Sequence, residues 1–173
     1  TWRKIEAFPG IPTLIYVSSV VASRHDPHRV YATFNNHKRG DFRPYLIKST
    51  DRGRTWRSIA GDLPDRHLVW RLVQDHVKPE LLFAGTEFGV FFSIDGGGNW
   101  VKLSGGAPTI PFRDLVIQTR ENDLVGATFG RGFWILDDYS PLREVSEENL
   151  QQAATLYPVK DAWWYLPKLT LGD

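Results

Sequence analysis

Apolar residues fall along this chain in short runs separated by turn formers. Ser19-Val20-Val21-Ala22, Arg71-Leu72-Val73-Gln74 and Asp114-Leu115-Val116-Ile117 are each followed by a turn, at Asp26-Pro27, Lys78-Pro79 and Glu121-Asn122-Asp123. A second run follows each turn: Val30-Tyr31-Ala32-Thr33, Leu82-Phe83-Ala84-Gly85-Thr86 and Leu124-Val125-Gly126-Ala127-Thr128, and each precedes a third. Runs of this length between turn signals predict β-strands, in three copies of one unit.

Two octapeptides set the phase of the repeat. Ser49-Thr50-Asp51-Arg52-Gly53-Arg54-Thr55-Trp56 and Ser93-Ile94-Asp95-Gly96-Gly97-Gly98-Asn99-Trp100 share the pattern S-x-D-x-G-x-[TN]-W, with 44 residues from Asp51 to Asp95. That period suits a four-stranded propeller blade. In the third copy, Phe133-Trp134-Ile135-Leu136-Asp137 keeps the strand and the Asp, but Asp138-Tyr139-Ser140-Pro141-Leu142 stands where Gly and Trp are due. Thr1-Trp2-Arg3-Lys4-Ile5 aligns with Thr55–Ile59 and Asn99–Leu103, so residues 1–5 are expected to be the outer strand of a preceding blade.

The expected fold class is all-β: propeller blades of four antiparallel strands over 15–60, 68–104 and, degenerate, 112–143, with an orphan N-terminal outer strand and a short helical or extended C-terminal tail over 144–173. In the tail, Ser146 reads as a helix cap with Glu147 and Glu148 in the first turn, and 149–154 as a short helix. Of two extended segments, Thr155–Val159 and Ala162–Leu166, one is expected to complete the third blade. Three blades do not close a ring, and open strand edges are an aggregation liability. The expected partners are therefore the remaining blades, from the same parent protein or from another copy.

The chemistry of the octapeptide is that of a turn. A short carboxylate can accept from backbone N–H groups ahead of it. Gly53 and Gly97 supply positive φ, Thr55 or Asn99 ties the far side, and Trp56 or Trp100 re-enters the next strand. Ser49, Asp51, Gly53, Thr55 and Trp56, with Ser93, Asp95, Gly97, Asn99 and Trp100, are thus read as structural.

These motifs resemble the Asp boxes of the bacterial BNR-repeat proteins, relatives of the sortilin-type propeller and of the two-propeller xyloglucanase-like glycosidases. Thr86–Asp95 and Ala127–Asp138 are similar to the closing blades of that group, and the resemblance covers about residues 1–143. It implies a propeller with the Asp boxes on one face and ligands on the other. It leaves activity open, because such propellers include sialidases, xyloglucanases, sorting receptors, assembly factors and lectins. An extracellular or periplasmic location is implied by the resemblance alone.

On that opposite face the chain would display 35–43, 62–67, Glu87-Phe88, 105–112 and 129–131. Arg131 lies between two glycines and suits a carboxylate or phosphate; a structural ion pair is the competing role. Glu87 and Asp65 are the carboxylates to test for acid–base work, which in glycosidases needs two carboxyls roughly 5–10 Å apart. Trp70 and Phe88 suit stacking on a sugar ring, and His67 and Arg39 complete the candidate ligand-binding set. Two functions follow: a non-catalytic binding or scaffold propeller segment that engages a glycan or protein, or part of a sialidase- or xyloglucanase-like glycoside hydrolase whose active site is shared with blades outside this chain.

Composition narrows the field. The formal net charge of +1 offers no attraction to nucleic acid. The absence of Cys excludes thiolate metal sites. His25-Asp26-Pro27-His28 is a turn with no third ligand, and no metal or cofactor is expected. No apolar run nears the ~20 residues of a membrane span. Seven Trp among 13% aromatics predict a β-rich core or an aromatic binding surface.

Overall fold

The computed structural model describes residues 4–161. Strands β1 (Tyr16–Ala22), β2 (Val30–Asn36), β3 (Asp41–Ser49) and β4 (Arg57–Ser58) form an antiparallel sheet in chain order. Strands β5 (Val69–Gln74), β6 (Leu82–Thr86), β7 (Gly89–Ser93) and β8 (Val101–Lys102) form a second of the same design. Strands β9 (Phe112–Gln118), β10 (Asp123–Thr128) and β11 (Phe133–Leu136) form a third. The fold is all-β, and these sheets are β-propeller blades. Their first strands stand side by side, so Val21 and Ala22 of β1, Arg71 and Val73 of β5, and Val116 and Ile117 of β9 line one groove.

Strand alternation sends successive side chains to opposite faces, and each sheet uses both. In β2, Tyr31 joins Leu46 and Ile59 against Leu72, Leu82 and Phe91 of the second sheet. Its neighbours Ala32 and Phe34 turn the other way, packing with Tyr45, Ile47, Phe8 and Ile11. In β6, Phe83 faces Phe112, Leu115 and Leu124 of the third sheet. The core is thus two apolar layers between sheets and a third on the free face of the first. Among the described residues, the third sheet also carries exposed Val116, Phe133 and Ile135.

The third sheet has three strands among the described residues. Thr155–Val159 joins no sheet; Leu156 is 96% exposed, and Pro158 has no N–H to give a ladder. The other candidate outer strand, Ala162–Leu166, lies outside the described residues, as do Thr1–Arg3 of the expected orphan strand. Lys4 and Ile5 carry no strand. The tail helix α1 spans Glu147–Leu150, earlier and shorter than the expected 149–154. Ser146 and Asn149 cap it reciprocally, and the exposed residues after Leu150 offer no apolar face to extend it.

Candidate functional site

The two ends of the sheets are built differently. At one end each inner hairpin turn is tied by a backbone bond to the outer turn of its own sheet: Arg52 N–H to His28 O, Gly96 N–H to Glu80 O, and Tyr139 N–H to Asn122 O. The octapeptides sit here. Asp51 accepts from the N–H groups of Arg54 (2.9 Å) and Thr55 (2.8 Å) and from the Thr55 hydroxyl (2.6 Å). Asp95 accepts from Gly98 N–H (2.8 Å) and from the N–H and side-chain amide of Asn99. Ser49 and Ser93 donate to their Asp and accept from Gly53 N–H and Gly97 N–H, at φ 76° and 100°. The Thr55 bonds lower the Asp51 pKa. Burial works to raise Asp95, but the bonds from Ser93, Asn99 and Gly98 prevail and hold it at about 2. Both carboxylates are spent on their turns. Trp100 runs on into the preceding sheet, donating its indole N–H to Ile59 O at 3.0 Å, while Trp56 packs edge-on to Phe8.

The third outer turn has no octapeptide. Asp138 accepts from the Ser140 hydroxyl at 2.6 Å, and a 3-10 turn follows over Ser140–Arg143. Tyr139 is buried there and reaches the second sheet, where it donates to Asp75 at 2.6 Å. Arg143 forks onto the same carboxylate, with both contacts at 2.9 Å.

The opposite end gathers side chains from all three sheets. Each first strand carries a β-bulge at the equivalent place. Register slips between Val17 and Ser19, between Val69 and Arg71, and between Asp114 and Phe112, leaving Ser18, Trp70 and Arg113 as the extra residues. A bulge releases its residue from the ladder and re-aims it. These three begin a continuous row. Asn35 Nδ2 donates to Ser18 Oγ at 2.9 Å, and Asn35 Oδ1 lies 2.6 Å from His37 Nδ1. The His37 ring meets Trp70 edge-on at 5.5 Å. Trp70 donates its indole N–H to Glu87 Oε2 at 2.9 Å, and its face is covered by the Arg113 guanidinium at 3.6 Å. Phe129 lies beyond, its ring centre 5.4 Å from the same guanidinium.

This end therefore brings together Trp70 and Glu87 of the candidate set, but not Asp65. Glu87 is engaged by Trp70, whereas Asp65 lines a separate groove with Pro9, Arg43 and Tyr45. His67 packs edge-on to Phe88 at 5.2 Å and to Phe91 at 5.5 Å. Phe88 is 42% exposed. Arg131 is exposed between Gly130 and Gly132, and no carboxylate among the described residues pairs with it. Arg39 reaches back to Thr13 O at 3.4 Å, outside the row. The other basic residues of that loop are also engaged: Lys38 lies over the Tyr16 ring, and Arg43 pairs with Asp41 at 3.0 Å. Trp70 is no open platform on the face that Arg113 covers. Arg113 falls between the 105–112 loop and the Asp114–Ile117 run read from the sequence, where no signal marks it, and the bulge turns it to this end.

No family model matches the chain. It is similar to the xyloglucanase Xgh74A of Acetivibrio thermocellus, 32% identical over 98 residues, covering 50% of this chain and 12% of that protein. It is also similar to a xyloglucanase of a Paenibacillus species, 27% identical over 134 residues, covering 72% of this chain and 13% of that one. The chain thus spans roughly an eighth of the length of these relatives. Among solved structures, the GH74 xyloglucanase from Xanthomonas campestris superposes with a TM-score of 0.54 at 15% identity, over 70% of this chain and 22% of that chain. At that identity the likeness is one of fold. The chain is a run of β-propeller blades with glycosyl-hydrolase-like relatives.

Proposed function

We propose that this chain is a binding segment of a larger propeller of the BNR/Asp-box type, engaging a glycan or protein at the end opposite the octapeptide turns and contributing no acid–base pair of its own. The observation that carries the reading is the Trp70–Arg113–Phe129 stack, an aromatic and cationic surface built across two sheets. Around it the carboxylates already have partners: Glu87 is held by Trp70, and Asp114 lies 3.0 Å from Arg71. Exposed aromatic rings with few, fixed polar groups are the usual make-up of a recognition surface. The remaining blades of the ring would be its partners.

The similarity to xyloglucanases favours a second reading, in which the same end contributes binding subsites to a glycoside hydrolase whose acid and base lie on other blades. One experiment addresses both. The purified chain is titrated with neutral and acidic oligosaccharides and with peptides, and the same ligands are assayed for hydrolysis. Binding that weakens in Phe129→Ala, with no hydrolysis, is the expected result. Hydrolysis abolished by Glu87→Gln would overturn it.

A further inference from the structure

We propose that the Arg113 guanidinium is the anchor for a carboxylate on the ligand, so that the site takes an acidic oligosaccharide carrying uronic acid residues. Arg113 is exposed, and its plane is clamped by Trp70 at 3.6 Å on one side and bordered by Phe129 on another. Aromatic faces hold a guanidinium by cation–π attraction and leave its N–H edges unspent. Two carboxylates at this end have other partners: Asp114 accepts from Leu115 N–H at 2.9 Å and ion-pairs with Arg71 at 3.0 Å, and Glu87 accepts from the Trp70 indole at 2.9 Å. Among the described residues no ion pair reaches Arg113. A pre-oriented fork of donors with no internal acceptor fits a carboxylate in two parallel hydrogen bonds.

Two further features select the class of ligand. Phe129 is 68% exposed beside the guanidinium and offers a flat apolar face. A pyranose bearing a carboxylate presents both requirements in one residue, an apolar ring face and an anionic edge. The surroundings reinforce the sign, since Arg131 is exposed in the same β10–β11 turn and has no carboxylate partner among the described residues. The bulge at Arg113 makes this a built feature, because in-register pairing would have kept the residue in the ladder.

The inference rests on the binding reading above, and the two fail separately. The full chain is titrated with trigalacturonate, with a neutral xyloglucan oligosaccharide and with a poly-glutamate peptide, following heat of binding and tryptophan fluorescence. Trigalacturonate is expected to bind, to perturb Trp70 emission, and to weaken as salt rises. Arg113→Lys keeps the charge but loses the fork and is expected to weaken binding roughly tenfold. Arg113→Ala should abolish it with an unchanged thermal midpoint, whereas Arg39→Ala at the far loop should have no effect. Equal binding of the neutral sugar, unaffected by Arg113→Ala, overturns the carboxylate anchor and leaves the binding reading standing. Preferential binding of poly-glutamate overturns the ligand class. No binding of any probe overturns both.

Discussion

The hydroxyl of Tyr139 donates to the carboxylate of Asp75 at 2.6 Å, joining the end of the third sheet to the first turn of the second. Asp75 is fully buried and also receives Arg143 and the N–H groups of Val77 and Lys78. Burial works to raise the Asp75 pKa, but the bonds from Arg143 and Tyr139 overcome it and hold the group well below the usual carboxylate range. Burial, with Asp75 alongside, pushes Tyr139 up. In the third repeat this network ties the outer turn where the first two use an octapeptide.

Breaking that network should destabilise the chain strongly. Asp75→Asn leaves Arg143 short of its counter-charge and is expected to cost about 3 kcal/mol or more. Tyr139→Phe removes one buried bond and should cost about 1–3 kcal/mol. The double variant should cost less than the sum, because both residues belong to one network. Urea denaturation of the four proteins checks this; simple additivity would show that the two residues act independently.

Acid should unfold the protein through its turn carboxylates. Asp95 sits at about 2 in the folded chain, against about 3.9 when unfolded. Its contribution is therefore complete above the unfolded value and is lost as pH falls toward 2. Asp41, lowered chiefly by Arg43, and Asp51 act in the same sense. The melting temperature should hold from neutrality to pH ~5 and then decline. Asp95→Asn should melt lower at neutral pH and show a shallower acid slope. An unaltered slope would remove Asp95 from the account.

Gly97 should tolerate no side chain. Its φ is 100°, and a Cβ there would lie 2.8 Å from Ile59 Cβ and 2.9 Å from Ile59 O. Gly97→Ala is expected to cost roughly 2 kcal/mol from backbone strain and overpacking together. Gly105, at φ 76° with open space around it, supplies the control for strain alone. Thermal melts of the two variants should differ, and equal losses would mean that the contact with Ile59 relaxes freely.

The apolar face of the third sheet that is exposed among the described residues predicts self-association. Phe133 is 78% exposed and Ile135 55%, and both flank Val125 and Ala127 across the ladder. Exposed apolar sheet faces of this kind promote association. Phe133→Ser with Ile135→Thr should raise the solubility limit of the chain while leaving its melting temperature within a few degrees. Light scattering against concentration gives the readout.

The repeat was legible because turn chemistry and strand length are local properties. Asp51 and Asp95 with their glycines sit in one eight-residue motif, so their phase could be read directly. The Asp75–Tyr139–Arg143 network was not legible, because Asp75 lies more than 60 positions from both partners and none of the three carries a motif. The end opposite the octapeptides was half legible. Trp70, Phe88 and Glu87 stood out by type, but Arg113 sits at the junction between a loop and a strand run. The guanidinium over Trp70 also changes what that indole can do. Nothing in the residues before Arg113 marks the bulge that frees it. The tail was overread: an apolar run such as Thr155–Val159 has strand character, yet it finds no edge to pair with among the described residues.

The bulges at Ser18, Trp70 and Arg113 give each blade one position that stands outside the strand pairing. A hydroxyl, an indole and a guanidinium occupy the same step of the same strand, and the flanking pairings continue undisturbed. Under the binding reading proposed above, substitution there would alter the exposed surface while leaving the flanking ladder pairs in place. On that reading, a protein built from such units would gain new specificity one blade at a time, with as many separate choices as it has repeats.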